Sequence, residues 1–377
     1  MAGSEVFPKS DGDIFYAADV SVLQKFIENT FHLTAQSMYE NFYANEYSNT
    51  DYNQSFFTSF HNTSNIHLGS SDYAWIGSRF FPKTSGNLLI DEFDDGSIDN
   101  NYWKTEISSS QGLGSWWESG TEIRGETHED GGDNDISSTT ELYFSGNSTF
   151  DLRGSKFIFK GYYFAAGSQP GATYYPEISF SMLDENNTEV KLGSVRQNNA
   201  CLSGQFIIEP WSVSQGVMNK YNVIHISGAG STFISSGVDV SDLDPSQKWK
   251  FKIRVYACDV GYTSDPSHTD NVNWTDWFKI YPFQKTEVWS SGLSVDNGSP
   301  AVFIPTYNAE NETFGTITLK FDGVSGTNLV TGSKNKFTHI PEASRGNKPT
   351  FVVEVNPNSP GSVAPCLKDI GVVWVED

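Results

Sequence analysis

The sequence predicts a mainly β protein, an antiparallel two-sheet sandwich with a short N-terminal helical segment. Three observations carry that expectation. Runs of five to nine β-rich residues recur between clusters of Gly, Asn, Asp or Pro. In "KWKFKIRVY", Trp249, Phe251, Ile253 and Val255 alternate with Lys250, Lys252, Arg254 and Tyr256. One face of that strand is therefore buried and the other wet, and such alternation over many antiparallel strands specifies two facing sheets. Finally, 37% apolar and 14% aromatic residues over 377 positions supply enough surface to bury for one large all-β domain plus an appendage, or for two domains.

The elements follow in order. From Asp19, a suitable N-cap, Val20, Leu23, Phe26, Ile27 and Phe31 recur at three- and four-residue spacing and define one apolar helix face. Tyr39, Tyr43 and Tyr47 continue at four-residue intervals, and the segment after them is polar but dotted with aromatics. This stretch cannot form a core alone and needs a neighbour, either the following domain or another subunit. "FPKTSGN" at 81–87 echoes "FPKSDGD" at 7–13 and marks a turn before the texture changes to strands. The expected division is a helical or extended segment for assembly or docking over 1–85 and a sandwich over 86–377. The strand runs then follow from "LLIDEFDDGSIDNNYWKTE" through "GSKFIFKGYYFAA", "PEISFSMLDEN", "KWKFKIRVYACD", "TDWFKIYPF", "AVFIPTYN" and "FGTITLKFDG" to "KPTFVVEVNPN" and "CLKDIGVVWVED".

Charge and composition exclude several classes. A net charge of −22 lacks the clustered Lys and Arg that phosphate neutralisation requires, so no nucleic-acid partner is expected. Cys201, Cys258 and Cys366 make neither a CxxC pair nor a zinc spacing. No apolar run reaches the roughly 18 to 20 residues of a membrane span. The first residues also lack the basic region, apolar run and cleavage site of a secretory signal, so export by that route is not expected.

Two stretches resemble known families. "DEFDDGSIDNNYW", Asp91 to Trp103, resembles the first strand and turn of concanavalin A-like, laminin-G-like jelly rolls, and "LKDIGVVWVED" is similar to their final strand. The resemblance implies one jelly roll in which the last strand lies beside the first, with insertions in 196–245 and 259–275. "SDGDIFYAADVSVLQ" at 10–24 resembles the start of tail-fibre and other virion proteins of prokaryotic viruses, which usually carry Asn where Ser21 stands. It implies assembly in a host cytoplasm and exposure outside on a particle, with self and other virion proteins as partners in a homo-oligomer such as a trimer or ring.

No catalytic constellation stands out. Glycoside hydrolases of the concanavalin A-like fold carry paired carboxylates in a Glu-x-Asp-x-(x)-Glu pattern on one strand; Glu92, Asp94 and Asp95 begin it, but Gly96 and Ser97 break it. The chain is therefore expected not to be an enzyme. Two candidate sites remain. Glu129, Asp130, Asp133 and Asp135 surround a Gly pair and offer the hard oxygens that Ca²⁺ takes, although the stretch matches neither an EF-hand loop nor a full RTX repeat and a solvated acidic loop is the simpler account. Trp116 and Trp117, adjacent in a strand, point to opposite faces, so one can be core and the other a sugar-stacking platform. The acceptors Asn62, Asn147, Asn186, Asn273, Asn297 and Asn311 match the N-glycosylation pattern by composition alone. The expected function is a surface-displayed virion protein that attaches to a host-surface glycan; a glycan-degrading hydrolase or a cellular carbohydrate-binding protein are the alternatives.

Overall fold

The computed structural model describes residues 25, 29–31, 33, 35, 37, 54–60, 66–68, 74–76, 78–109, 113–118, 120, 122–128, 136–144, 150–166, 173–174, 177–196, 202–210, 220–227, 230–240, 242–244, 246–260, 270–293, 295, 299–323 and 329–376. The chain is mainly β, and all of the described strand pairings are antiparallel. The strands form four sheets that face one another in two pairs.

Sheet I orders Glu189–Arg196, Glu177–Leu183, Lys250–Val260, Ile136–Phe144 and Trp103–Ser109. Sheet II orders Gly230–Asp239, Lys220–Ser227, Leu202–Pro210, Phe157–Ala166, Asp270–Ile280, Ile123–His128 and Leu113–Glu118, with Leu88–Asp91 paired to Asp270–Ile280. Their inner faces share one core, because alternate residues on each strand point inward. Phe144 meets Phe278 at 4.7 Å, Phe157 meets Phe251 at 4.7 Å and Phe180 meets Phe206 at 5.3 Å between ring centres. Such rings bury large apolar areas and interlock in tilted geometries.

Sheets III and IV make a second sandwich with its own core. Sheet III orders Thr338–His339, Pro300–Glu310, Cys366–Glu376, Arg79–Phe81 and Ala74–Ile76, and Ser55–Ser59 also pairs with Cys366–Glu376. Sheet IV orders Ile66–Leu68, Thr286–Ser290, Thr350–Pro357, Gly315–Asp322 and Val330–Gly332. Phe303 of sheet III stacks on Phe321 of sheet IV at 5.1 Å.

The two-sheet principle therefore holds twice, and the expected boundary at 85/86 does not coincide with the grouping of the sheets. Residues 55–81 contribute strands to the second sandwich, and the last strand lies against Ser55–Ser59 and Pro300–Glu310 rather than beside Leu88–Asp91. The physical reason is that backbone pairing partners are set by burial across the whole chain, whereas alternation along a strand reveals only which face is apolar. Of the expected insertions, 196–245 supplies three strands that extend sheet II.

A network of buried charges joins the sandwiches. Arg153, with 2% of its side chain exposed, contacts Asp151 at 2.8 Å and Glu310 at 2.6 Å. Glu310 also accepts from Arg79 at 2.9 Å and lies 3.1 Å from Lys368, while Asn311 donates to Asp151 at 2.9 Å. The Arg153 guanidinium sits 5.4 Å from the centre of the Phe81 ring. Asn311, one of the glycosylation matches, is thus engaged in the interior network. At the N-terminal side, residues 25, 29–31, 33, 35 and 37 are helical. Phe31 meets Phe337 edge-on at 5.7 Å and packs with Ala35, Phe57, Ile304 and Val373, so this part of the apolar helix face is covered by the chain's own second sandwich. Val20, Leu23, Phe26 and Ile27 lie outside the described residues. Among the described residues no helix is long and apolar enough to cross a membrane.

Candidate functional site

The outward face of sheet I carries a cleft of about 780 Å³. Its position follows from strand alternation. In Lys250–Val260, Phe251 and Ile253 enter the core and send Lys250, Lys252 and Arg254 outward. In Ile136–Phe144, Leu142 and Phe144 are core, which leaves Glu141 and Tyr143 outside; in Trp103–Ser109, Trp103 is core, which leaves Lys104 and Glu106 outside. The neighbouring strand places Ser179 opposite Arg254 and Ser181 opposite Lys252, small residues that leave the long side chains a trough.

Two aspartate-pinned turns bring amides to the rim. Asp99 accepts from the backbone and side-chain N–H of Asn101, both at 2.8 Å, and its carbonyl accepts from the N–H of Trp103 at 2.8 Å. This sets Asn100, Asn101 and Tyr102 beside the cleft. At the opposite edge the buried Asp184 accepts from the backbone N–H groups of Asn186 and Thr188, each at 2.8 Å, and Asn187 between them takes the left-handed conformation that Asn tolerates, with φ 61°.

The charges of the cleft interlock. Lys252 has only 3% of its side chain exposed and contacts Glu189 at 2.5 Å and Glu141 at 3.3 Å. Arg254 contacts the same Glu141 at 3.0 Å, and Lys104 pairs with Glu106. The Tyr143 hydroxyl donates to Glu141 and lies 3.4 Å from Glu106, with the ammonium groups of Lys252 and Lys104 at 5.9 and 6.0 Å from its ring centre. Burial would raise the Glu189 carboxyl, but Lys252 and its other partners hold it below its ordinary value. The Lys104 hydrogen bond likewise lowers Glu106. Burial first, and then the hydrogen bond to Glu141, push the Tyr143 hydroxyl up, so it stays a protonated donor. The cleft thus presents ionised acceptors, fixed cationic donors, amides that do both, and two tyrosines. Glu141 and Glu189 share one ammonium, which also places two carboxylates close together in an open trough.

The sequence-derived candidates fall elsewhere. Trp116 is a core residue and Trp117, its neighbour, is half-buried; neither lines the cleft. Leu113–Glu118 and Ile123–His128 do form a hairpin, with Trp116 opposite Gly125. Glu129, Asp130, Asp133 and Asp135 lie outside the described residues; among the described residues no group of His, Cys, Asp and Glu is arranged to hold a metal. The Asp91–Trp103 stretch is structural at its start: Asp91 accepts from the Phe93 N–H at 2.8 Å and from Trp103 Nε1 at 2.9 Å, and Phe93 is core. Its end supplies the amides of the rim. Near it, Trp116 Nε1 is buried without a hydrogen-bond partner among the described residues. Sequence reasoning missed Lys252, expected on a wet face, and with it Glu141, Tyr143 and Glu189. The available signal was the density of Lys and Arg in "KWKFKIRVY" within so acidic a chain.

No family model matches the chain, and no curated protein matches it. Solved structures similar to it include an endo-1,3-beta-glucanase from Streptomyces sioyaensis, at 10% identity over 52% of this chain and 97% of that one, with a TM-score of 0.33. A beta-1,3-glucanase from Mycobacterium marinum follows at 11% identity, over 53% of this chain and 100% of that one, with a TM-score of 0.31. A carbohydrate-binding module described for specific mannan recognition shares 8% identity over 52% of this chain and 99% of that one, with a TM-score of 0.22. Several of the similar structures are glycoside hydrolases, and the expectation that this chain is not an enzyme is corrected accordingly. At these scores the likeness assigns no particular activity or substrate to this chain.

Proposed function

We propose that this protein engages a carbohydrate in the cleft on sheet I. The observation that carries the reading is the cleft's lining, in which Glu106, Glu141, Glu189, Lys250, Lys252, Arg254 and the rim amides present alternating acceptors and donors across one open face. A sugar presents hydroxyls that both donate and accept, so it is recognised by such a set, while Tyr102 and Tyr143 offer ring surface to its C–H faces. A volume of about 780 Å³ lies within the range of roughly 300–1,000 Å³ usual for ligand sites. Affinity electrophoresis against a panel of soluble polysaccharides, with release of reducing ends measured in parallel, tests the reading. The wild type is expected to be retarded by at least one polymer, and Tyr143→Phe and Asn101→Ala are expected to weaken that retardation while the chain stays folded by circular dichroism. Retardation that survives both substitutions would move the site off this face. Release of reducing ends would assign hydrolysis in place of binding alone.

We extend the proposal to the setting in which the cleft is used. The N-terminal stretch Ser10–Gln24 supports display on the surface of a virus particle, where many copies convert weak individual contacts with a host-surface glycan into avidity. Immunogold labelling of particles from the source culture tests this, and label confined to cells would overturn it.

A further inference from the structure

We infer that the preferred ligand of the cleft is an anionic polysaccharide, one whose sugars carry carboxylate or sulfate groups; the inference rests on the reading of the cleft as a glycan site. The chain holds 24 Lys and Arg against 46 Asp and Glu, so an average patch of its surface is acidic. This cleft departs from that average, since Lys104, Lys250, Lys252 and Arg254 line it together with only three carboxylates.

The pairing shows which charge is left for a ligand. Glu106 is taken by Lys104, Glu141 by Lys252 and Arg254, and Glu189 by Lys252. Lys250 stands half-buried on the same face and makes no ion pair among the described residues; its influence on Glu106 is a field effect without contact. The cleft thus carries one surplus cation whose ammonium is not committed to a carboxylate among the described residues. Strand alternation puts Lys250, Lys252 and Arg254 in a row at every second residue, roughly 6.5–7 Å apart along the strand, a spacing that runs alongside a bound chain rather than around a single ion. A ligand anion beside Lys250 gains a charge-assisted hydrogen bond and leaves the internal pairs intact. The distant carboxylates do not cancel this gain. At about 0.15 M salt the screening length is roughly 8 Å, which removes most of their repulsion while contacts inside the cleft persist.

The test measures the affinity of the full chain at 0.15 M salt for polygalacturonate, alginate and hyaluronate, which carry carboxylates, and for dextran sulfate. Laminarin, mannan and dextran serve as neutral polymers, and polyglutamate as a polyanion without sugars. At least one anionic polysaccharide is expected to bind about tenfold more tightly than the best neutral polymer, with the carboxylated and sulfated arms identifying the charged group. Lys250→Gln is expected to abolish that margin while leaving the melting temperature unchanged. A neutral polymer that binds as tightly as the best anionic one, or a margin that survives Lys250→Gln, would overturn the inference and leave the carbohydrate reading standing. Polyglutamate bound as tightly as the polysaccharides would overturn it as a mere charge effect. Failure of every polysaccharide to bind would overturn the carbohydrate reading itself.

Discussion

Replacing Arg153 by Met tests how the two sandwiches are held together. The side chain is 2% exposed and bridges Asp151, itself 1% exposed, to Glu310 across the junction. Met keeps much of the apolar stem but removes the guanidinium, and with it the contacts of 2.8 and 2.6 Å and the approach to the Phe81 ring. Glu310 keeps Arg79 and Lys368, so the loss falls chiefly on Asp151. That carboxylate retains the Asn311 amide at 2.9 Å and the backbone N–H of residue 153 at 3.1 Å, but no cation among the described residues. Removing one partner of a buried pair costs about 3–5 kcal/mol, because a charge is left in a medium that solvates it poorly. Urea unfolding at pH 7 is the assay. A companion variant, Asp151→Asn with Arg153→Met, removes the stranded charge and is expected to recover more than about 1 kcal/mol of the loss. A loss below about 1 kcal/mol for the single variant, or a double variant no more stable than the single one, would refute the account.

Three further outcomes follow from single groups. Burial, a hydrogen bond with Asp95 and the charges of Asp91 and Asp95 push Glu118 up from its ordinary 4.5 to about 7, so the folded chain holds this proton more tightly than the unfolded chain. Its contribution is complete below about pH 4.5 and is lost as the pH rises to about 7; melting curves should show this decline, and Glu118→Gln should flatten it. Gly371 lies where an added Cβ would come within 2.4 Å of Phe57, so Gly371→Ala should cost about 1–3 kcal/mol in urea unfolding by forcing Ser55–Ser59 off the last strand. Cys366 is fully buried, and burial raises its thiol above the ordinary value, so peptide mapping after alkylation should find it unlabelled until urea unfolds the chain.

Much of the site was written in residue types whose meaning depends on neighbours that the chain brings in from far away. Lys252 reads as solvent-facing because it alternates with Phe251 and Ile253, and it does point away from the core. It is nevertheless buried, because Glu141 and Glu189 converge on it from strands 111 and 63 residues distant in sequence. The tryptophan pair illustrates the converse. Adjacent strand residues face opposite sides, so Trp116 entering the core with Trp117 beside it is a local consequence, but whether either borders a cleft depends on the sheet that receives the strand.

What the sequence by itself determined was the class of structure and the face of each strand, since both rest on local alternation, turn residues and the supply of aromatic side chains. The alternation of Trp249, Phe251 and Ile253, and the aspartate-pinned turn ahead of Trp103, are legible in this way because each rests on residues close in sequence. Only the tertiary structure decided that there are two sandwiches, that residues 55–81 join the C-terminal one, and that Arg153 locks the two together. It also decided which charges meet in the cleft. The reason is physical: strand pairing and charge pairing are chosen by the burial and electrostatic energy of the whole chain, and a periodicity of two residues specifies a direction but never a partner.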